Sequence, residues 1–289
     1  AGKSVTARHA TGLMRPDRGE VHVFGERIDT MDEPGLAAMR RRLRLDVTLL
    51  LTDGLGLTPA SASRADLLHV LTPSAFDAAR AGGRPATATF EIPYGLHTQR
   101  FRSTEEKHEC RRELGLPVDT KIVLDVAAIN ARHKRVDALI DEAVRLPSDW
   151  TLVIVGAPEE PALLDHARNV LGARFVHLRL RRDEMPLVYA AADVFAHAAR
   201  EEGFGLGIVE AMAAGLPVVV HCTDHFAWLV GDPGQLVDVD VPGALASGVA
   251  SAQADVGRRN IERAESFDWS ALAPRYVEMF RTAQAGVRP

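Results

Sequence analysis

Strand-like apolar runs alternate with helix-like segments along the second half of the chain, and this alternation constrains the fold more than any other feature. The strand-like runs are 122–127, 151–155, 175–178, 194–197, 218–221 and 236–237. The helix-like segments are 135–145, 160–170, 184–191, 244–252, 256–265 and 270–283. Such alternation builds a parallel sheet covered by helices on both faces, so we predict a doubly wound α/β fold with ligands outside the carboxyl ends of the strands.

The run from Glu202 to Val220 predicts, in order, a loop, a helix, a turn and a buried strand. Its first glycines, Gly203 and Gly205, let the backbone approach a ligand, and the free N–H groups at the helix start suit an anion such as a diphosphate. Glu210 lies about one turn into that helix, where an acid has little structural use. Its carboxylate would accept hydrogen bonds from two ribose hydroxyls.

This run resembles the Glu-x7-Glu signature of the retaining family 4 glycosyltransferases, the group 1 enzymes with a GT-B fold. The matching positions are Glu202, Gly203, Phe204, Gly205, Glu210, Ala211, Met212, Ala213, Gly215, Pro217, Val218 and Val219. The alternative interpretation is a helix that only packs against a sheet, with Glu202 as an acid at a helix start.

The resemblance implies roles for several residues around a sugar-nucleotide donor. Glu210 would hold the ribose hydroxyls, and Glu202 would contact hydroxyls of the transferred sugar. Lys134 would neutralise the leaving diphosphate, which makes Glu202 and Lys134 the expected catalytic residues. Sugar and phosphate oxygens would be bound by the backbone N–H groups of Phe204, Gly205 and Leu206.

The sequence departs from the family pattern just before Lys134. Ala128, Ile129 and Asn130 stand where the family has Gly-Arg-Leu, so Arg132 or Arg135 would have to replace the missing arginine. The alternative for Lys134 and Arg135 is a solvated helix start.

The implied reaction transfers a sugar with retention from a UDP- or GDP-sugar to a glycan, lipid or small-molecule acceptor that the sequence does not identify. Electrostatic stabilisation of the departing diphosphate would drive it, with no metal ion and no cofactor required.

The resemblances divide the chain into three segments. Residues 105–289 correspond to the donor-binding domain, and 47–104 to a remnant of the N-terminal domain and its linker, in which Ile92-Pro93-Tyr94-Gly95 is similar to the family's Ile-Pro-Asn-Gly. Residues 1–46 instead resemble the start of an ABC-transporter ATPase, with Gly2-Lys3-Ser4 at the end of an incomplete phosphate loop. We therefore expect a GT-B-like protein with a truncated or chimeric N-terminal domain. The alternative function is the ATP-binding subunit of an ABC transporter.

Composition narrows the range of partners and compartments. A net charge of −5 and a pI near 6.1 give no electrostatic reason to expect nucleic acid or an anionic membrane. Cys110 and Cys222 are the only cysteines, which is typical of a reduced, cytoplasmic protein. Because no apolar run reaches about 18 residues, we expect any membrane contact to be peripheral.

Three charged groups invite functional interpretations that we do not favour. One group consists of His221, Cys222, Asp224 and His225, which lack a second pair of metal ligands. Asp238 and Asp240 form an Asp-x-Asp in a predicted turn, and loop carboxylates are the simpler interpretation. The basic residues Arg40, Arg41, Arg42 and Arg44 are typical of a solvated helix face. We therefore predict no metal site.

Overall fold

The computed structural model describes residues 19–42, 50–53, 66–103 and 105–285. The strands are β1 (His22–Val23), β2 (Glu26–Arg27), β3 (Leu50–Asp53), β4 (Leu67–Val70), β5 (Thr89–Glu91), β6 (Lys121–Val126), β7 (Trp150–Val155), β8 (Phe175–Leu178), β9 (Val194–Ala196), β10 (Val218–His221) and β11 (Leu236–Val237). The helices are α1 (Glu33–Arg42), α2 (Pro73–Ala81), α3 (Lys107–Glu113), α4 (Val136–Arg145), α5 (Pro161–Leu171), α6 (Met185–Ala191), α7 (Leu206–Ala213), α8 (Asp224–Val230), α9 (Ala244–Ser251), α10 (Val256–Glu265) and α11 (Trp269–Ala285).

Six of these strands form one parallel sheet in the order β11-β10-β9-β6-β7-β8. The first strand of this sheet along the chain is β6, followed outward on one side by β7 and β8. The chain then returns to β9 on the other side of β6 and continues outward through β10 and β11. The strand order therefore reverses between β6 and β9, and the loops after these two strands leave a crevice at their carboxyl ends. The predicted doubly wound α/β fold is confirmed.

Alternating side chains of the sheet supply two apolar cores, one on each face. On β6, Ile122 and Leu124 pack into one core, and Val123, between them, packs into the other. This is the period of two that a strand requires. Both faces are covered by helices, so the central strands are apolar on both sides, which explains why the sequence shows them as continuous apolar runs.

A smaller parallel sheet of three strands, β3-β4-β5, precedes the large one. Helix α2 follows β4 directly, because the Thr72 hydroxyl accepts a hydrogen bond from the Ala75 N–H at 3.2 Å and Pro73 occupies the first turn. Further upstream, β1 and β2 form a short antiparallel hairpin, followed by α1. Gly2-Lys3-Ser4, the phosphate-loop resemblance, lies outside the described residues.

Helix α11 returns from the end of the large sheet to the segment after β5. The Leu96 N–H donates to the Phe267 carbonyl at 2.9 Å, and the Trp269 N–H donates to the Leu96 carbonyl at 3.0 Å. The Trp269 ring covers Gly95 so closely that a Cβ there would lie 2.4 Å from it. A glycine is therefore required at that position. None of the helices in the described ranges is both long and apolar enough to cross a bilayer.

A partly buried ion pair ties α3 to the amino ends of β6 and β9. The Asp193 carboxylate accepts from Arg111 Nη2 at 2.6 Å, from Lys107 Nζ at 2.7 Å and from the Ile122 N–H at 2.7 Å. The Arg111 side chain is only 6% exposed, so it cannot be rehydrated if its partner is lost.

Replacing Asp193 with Ala should lower the free energy of unfolding by about 3 kcal/mol, because Arg111 would be left as an unpaired buried charge. Urea denaturation measures this change. Asp165→Ala is the matched control, since Asp165 pairs with Arg168 where both side chains are more than half exposed, and it should leave the midpoint unchanged. Equal effects of the two substitutions would contradict this account of the ion pair.

Candidate functional site

A cavity of about 370 Å³ opens at the crevice between the loops that follow β6 and β9. Its lining includes residues 126–128, Lys134, His197 and the run 202–208. A second cavity of about 410 Å³ shares residues 126–128 with it and extends to Gly156 and Arg179 beyond β7 and β8. Both cavities lie where the topology places a ligand, and their size is typical of small-molecule sites.

The glycine-rich turn brings the start of α7 to this cavity. Gly205, the residue before the helix, has φ +96°, a backbone conformation that residues with L side chains rarely adopt. A Cβ on Gly207 would lie 3.3 Å from the Val126 carbonyl, so a larger residue would push α7 away from β6. The Ile208 N–H donates to the Gly205 carbonyl at 3.0 Å, and the N–H groups of Leu206 and Gly207 before it have no acceptor within the helix. They are therefore available to an anion in the cavity.

A chain of four charged side chains runs from the buried strand β6 to the cavity. The fully buried Asp125 carboxylate accepts from His197 Nδ1 at 2.8 Å, and His197 Nε2 donates to Glu202 Oε1 at 2.8 Å. Lys134 Nζ also donates to Glu202 Oε1. The order is thus carboxylate, imidazole, carboxylate, ammonium, with Glu202 and Lys134 at the cavity wall.

These contacts shift the pKa values of the two central groups. Burial alone would lower the pKa of His197, but Asp125 and Glu202 outweigh it and raise the pKa to about 9. Burial alone would raise the pKa of Glu202, but His197 and Lys134 outweigh it and lower the pKa to about 2. At neutral pH, His197 is therefore an imidazolium and Glu202 a carboxylate.

Glu210 lies on the same face of α7 as Leu206 and Gly207, three to four residues further along the helix. It is half-buried, and its Oε2 accepts a hydrogen bond from the Tyr189 hydroxyl at 2.7 Å. The expectation that an acid here has little structural use needs correction, since Glu210 accepts a hydrogen bond from the buried Tyr189 hydroxyl. Burial raises the pKa of Glu210, and the hydrogen bond from Tyr189, with the charges of Arg182 and Arg100, opposes that rise.

The structure brings Lys134 and Glu202, with Phe204, Gly205 and Leu206, around one cavity, but neither candidate arginine is part of its lining. Arg135 Nη1 lies 3.0 Å from Asp240 Oδ1, on a carboxylate that Arg200 also binds. Arg132 is exposed on the loop before α4.

Sequence reasoning missed Asp125 and His197 as site residues, and Tyr189 as the partner of Glu210. The available signal was the single acid at position 125 within an otherwise apolar strand, which is costly unless it is paired. Tyr94, which replaces the Asn of the resembled segment, lines the cavity and packs edge-on against Phe204.

Of the residues that we did not favour as metal ligands, three lie close together in the described part of the chain. One ligand atom each of His221, Cys222 and Asp238 lies within 4.8 Å of the others. His221 Nδ1, however, lies 3.3 Å from both the Val239 N–H and the Val237 carbonyl. His225 is directed to the Phe204 carbonyl at 3.1 Å. The absence of a metal site stays a prediction.

Comparison with known proteins shows which proteins this chain is similar to. Residues 120–255 match a family model described as "Glycosyl transferases group 1". The D-inositol 3-phosphate glycosyltransferase of Corynebacterium glutamicum is 32% identical over 206 residues, covering 64% of this chain and 48% of the relative. That of Xylanimonas cellulosilytica is 33% identical over 188 residues, covering 60% and 45%. The chain thus spans about half the length of these curated relatives.

Solved structures share the fold. Anabaena HepE, determined in complex with UDP-glucose, superposes with a TM-score of 0.72 at 24% identity, covering 85% of this chain and 74% of HepE. Sucrose-phosphate synthase from Thermosynechococcus elongatus gives a TM-score of 0.71 at 24% identity, covering 87% and 71%. The GT-B-like fold is confirmed. None of these comparisons supports the ABC-transporter alternative.

Proposed function

Residues 120–255 match a model of the group 1 glycosyltransferases, and we propose from that match that the protein binds a nucleotide-diphosphate sugar and transfers the sugar to an acceptor. The observation that carries the proposal is the meeting of the α7 N-terminus, the glycine-rich turn and Lys134 at one cavity. Together they offer free backbone N–H groups, a positive helix end and a cation to a diphosphate.

Lys134 can serve the diphosphate without leaving Glu202. An ammonium group has three N–H donors, and the hydrogen bond to Glu202 uses one of them. The remaining donors face a cavity that Lys134 itself lines. In the proposed reaction this charge and the α7 N–H groups stabilise the negative charge that builds up on the departing diphosphate. Transfer with retention is part of the same proposal.

The two signature glutamates divide the rest of the donor between them. Glu202 lines the cavity beside Lys134, which supports contact with hydroxyls of the transferred sugar. Glu210 lies a turn further along α7, and its Oε1 supports a role in binding ribose, since only Oε2 is engaged by Tyr189. Arg132 is better placed than Arg135 to replace the missing family arginine, because Asp240 holds Arg135.

The proposal is tested by measuring heat-denaturation shifts with UDP- and GDP-sugars against ATP. A sugar nucleotide should stabilise the protein at concentrations where ATP does not, because ligands that bind only the folded state raise its melting temperature. Stabilisation by ATP alone would contradict the proposal and would favour the transporter alternative. Product analysis with the stabilising donor then tests transfer and the anomeric outcome.

Replacing Lys134 with Ala should weaken UDP binding about 10- to 100-fold, the usual effect of losing a charge-assisted hydrogen bond. UDP is the probe because it carries the diphosphate without a sugar, so the effect does not depend on Glu202. Lys121→Ala is the matched control, since Lys121 begins β6 at the opposite edge of the sheet from the cavity. Isothermal titration that finds equal affinities for both variants would remove Lys134 from the site.

Replacing Glu210 with Gln should weaken UDP binding about tenfold, because a neutral amide accepts ribose hydrogen bonds less strongly than a carboxylate. Gln is preferred to Ala because its amide oxygen keeps an acceptor for the buried Tyr189 hydroxyl. Tyr189→Phe is the control that removes the inner hydrogen bond to Glu210, together with the longer contact to the Gly207 carbonyl at 3.3 Å, and it should keep most of the UDP affinity. Unchanged UDP affinity in Glu210→Gln would contradict the ribose role.

A further inference from the structure

The carboxylate of Asp125 is costly for the fold. Its side chain is fully buried within β6, between Leu124 and Val126, in a strand whose other inner residues are apolar. One of its oxygens, Oδ2, makes no hydrogen bond within the described residues. Buried ion pairs are often no more stabilising than apolar side chains of similar volume. Stability alone therefore does not explain an acid at this position.

Asp125 fixes the protonation state and the ring orientation of His197. The ring is 3% exposed, stacks on Phe195, and lies between Asp125 and Glu202 at 2.8 Å on each side. Both partners are carboxylate oxygens that can only accept, so both ring nitrogens must donate. His197 is thus held as an imidazolium pointing at Glu202.

The imidazolium in turn makes the two oxygens of Glu202 unequal. His197 and Lys134 both donate to Oε1. Within the described residues, Oε2 receives no hydrogen bond, although Glu202 lines the cavity. Without His197, the Glu202 side chain would keep only the flexible Lys134 as a partner and would gain rotational freedom.

We propose that Asp125 and His197 are positioning residues that hold Glu202 ionised and in one orientation, so that Oε2 accepts a hydroxyl hydrogen bond from the transferred sugar. This inference rests on the proposed donor binding. It assigns neither residue a direct contact with the nucleotide. Loss of the pair should therefore affect recognition of the sugar and spare recognition of UDP.

The charges around His197 determine the pH at which this arrangement fails. Asp125 on β6 and Glu202 on the loop after β9 face the ring, with Lys134 beyond Glu202, and the pKa of His197 is raised to about 9. Because folding raises this pKa, the charged His197 stabilises the folded protein fully at pH values below the ordinary pKa of histidine. This stabilisation is lost as the pH rises through about 9. Neutral His197 would turn a lone pair towards one of its two carboxylates.

The experiment compares binding of UDP-glucose with binding of UDP in three variants. Asp125→Asn and His197→Leu should weaken UDP-glucose about tenfold while changing UDP less than about threefold, which corresponds to loss of one oriented hydrogen bond to the sugar. His197→Gln should recover part of the loss, since its amide can still donate towards Glu202. Asp193→Asn controls for destabilisation, because it weakens a partly buried ion pair at the opposite end of the sheet.

The pH profile separates positioning from packing. In the parent protein the preference for UDP-glucose over UDP should persist to about pH 9. In Asp125→Asn the pH at which this preference is lost should be about one to two units lower. A merely structural pair would lower both affinities together, as in Asp193→Asn, and leave their ratio independent of pH. That result would overturn the inference.

The state of the ring is measured directly in the ligand-free protein by nitrogen-15 NMR of histidine. A doubly protonated His197 in the parent at pH 7, and a neutral one in Asp125→Asn at pH 8, is the expected result. A neutral ring in the parent overturns the inference whichever donor the protein uses. If the parent binds neither UDP nor any sugar nucleotide, the proposed function fails separately. If Asp125→Asn does not fold, His197→Gln carries the comparison.

Discussion

The parallel pairing of β6 with β9 is the constraint on which the candidate site depends. Val123 pairs with Val194 and Leu124 with Phe195, although about 70 residues separate the two strands along the chain. This pairing places the segments after both strands at one edge of the sheet, where their loops diverge. It also fixes Asp125 and His197, which lie directly beyond it, at hydrogen-bonding distance. The burial of both strands between two cores makes a slip in register costly, since every side chain would change faces.

Local pattern was sufficient for much of the large sheet. The predicted strands and helices begin and end within one or two residues of the sequence-based bounds, because apolar runs and helical periodicity can be recognised locally. The turn at Gly203 and Gly205 and the helix after it were likewise evident in residues 202–220. Lys134 was found through resemblance, since a lysine at a helix start is indistinguishable by pattern from a solvated one.

Long-range partners were beyond the reach of the sequence. The Asp125–His197 bond joins a residue on β6 to the residue directly after β9, and its existence depends on strand order and register, which periodicity does not encode. The same holds for Tyr189 and Glu210, which meet across two helices. Arg135 illustrates the converse case: its position beside Lys134 favoured a phosphate role, but its guanidinium pairs with Asp240 at 3.0 Å. The glycine-rich turn alone therefore does not predict the contacts that link the four charged side chains Asp125, His197, Glu202 and Lys134 at the site.

A crystal structure of the protein soaked with UDP-glucose tests the central claim most directly. The account predicts that the diphosphate lies within hydrogen-bonding distance of the backbone N–H groups at the start of α7 and of Lys134 Nζ, with the ribose beside Glu210. UDP-glucose bound elsewhere on the protein, or in the cavity with its diphosphate away from α7 and Lys134, would contradict it.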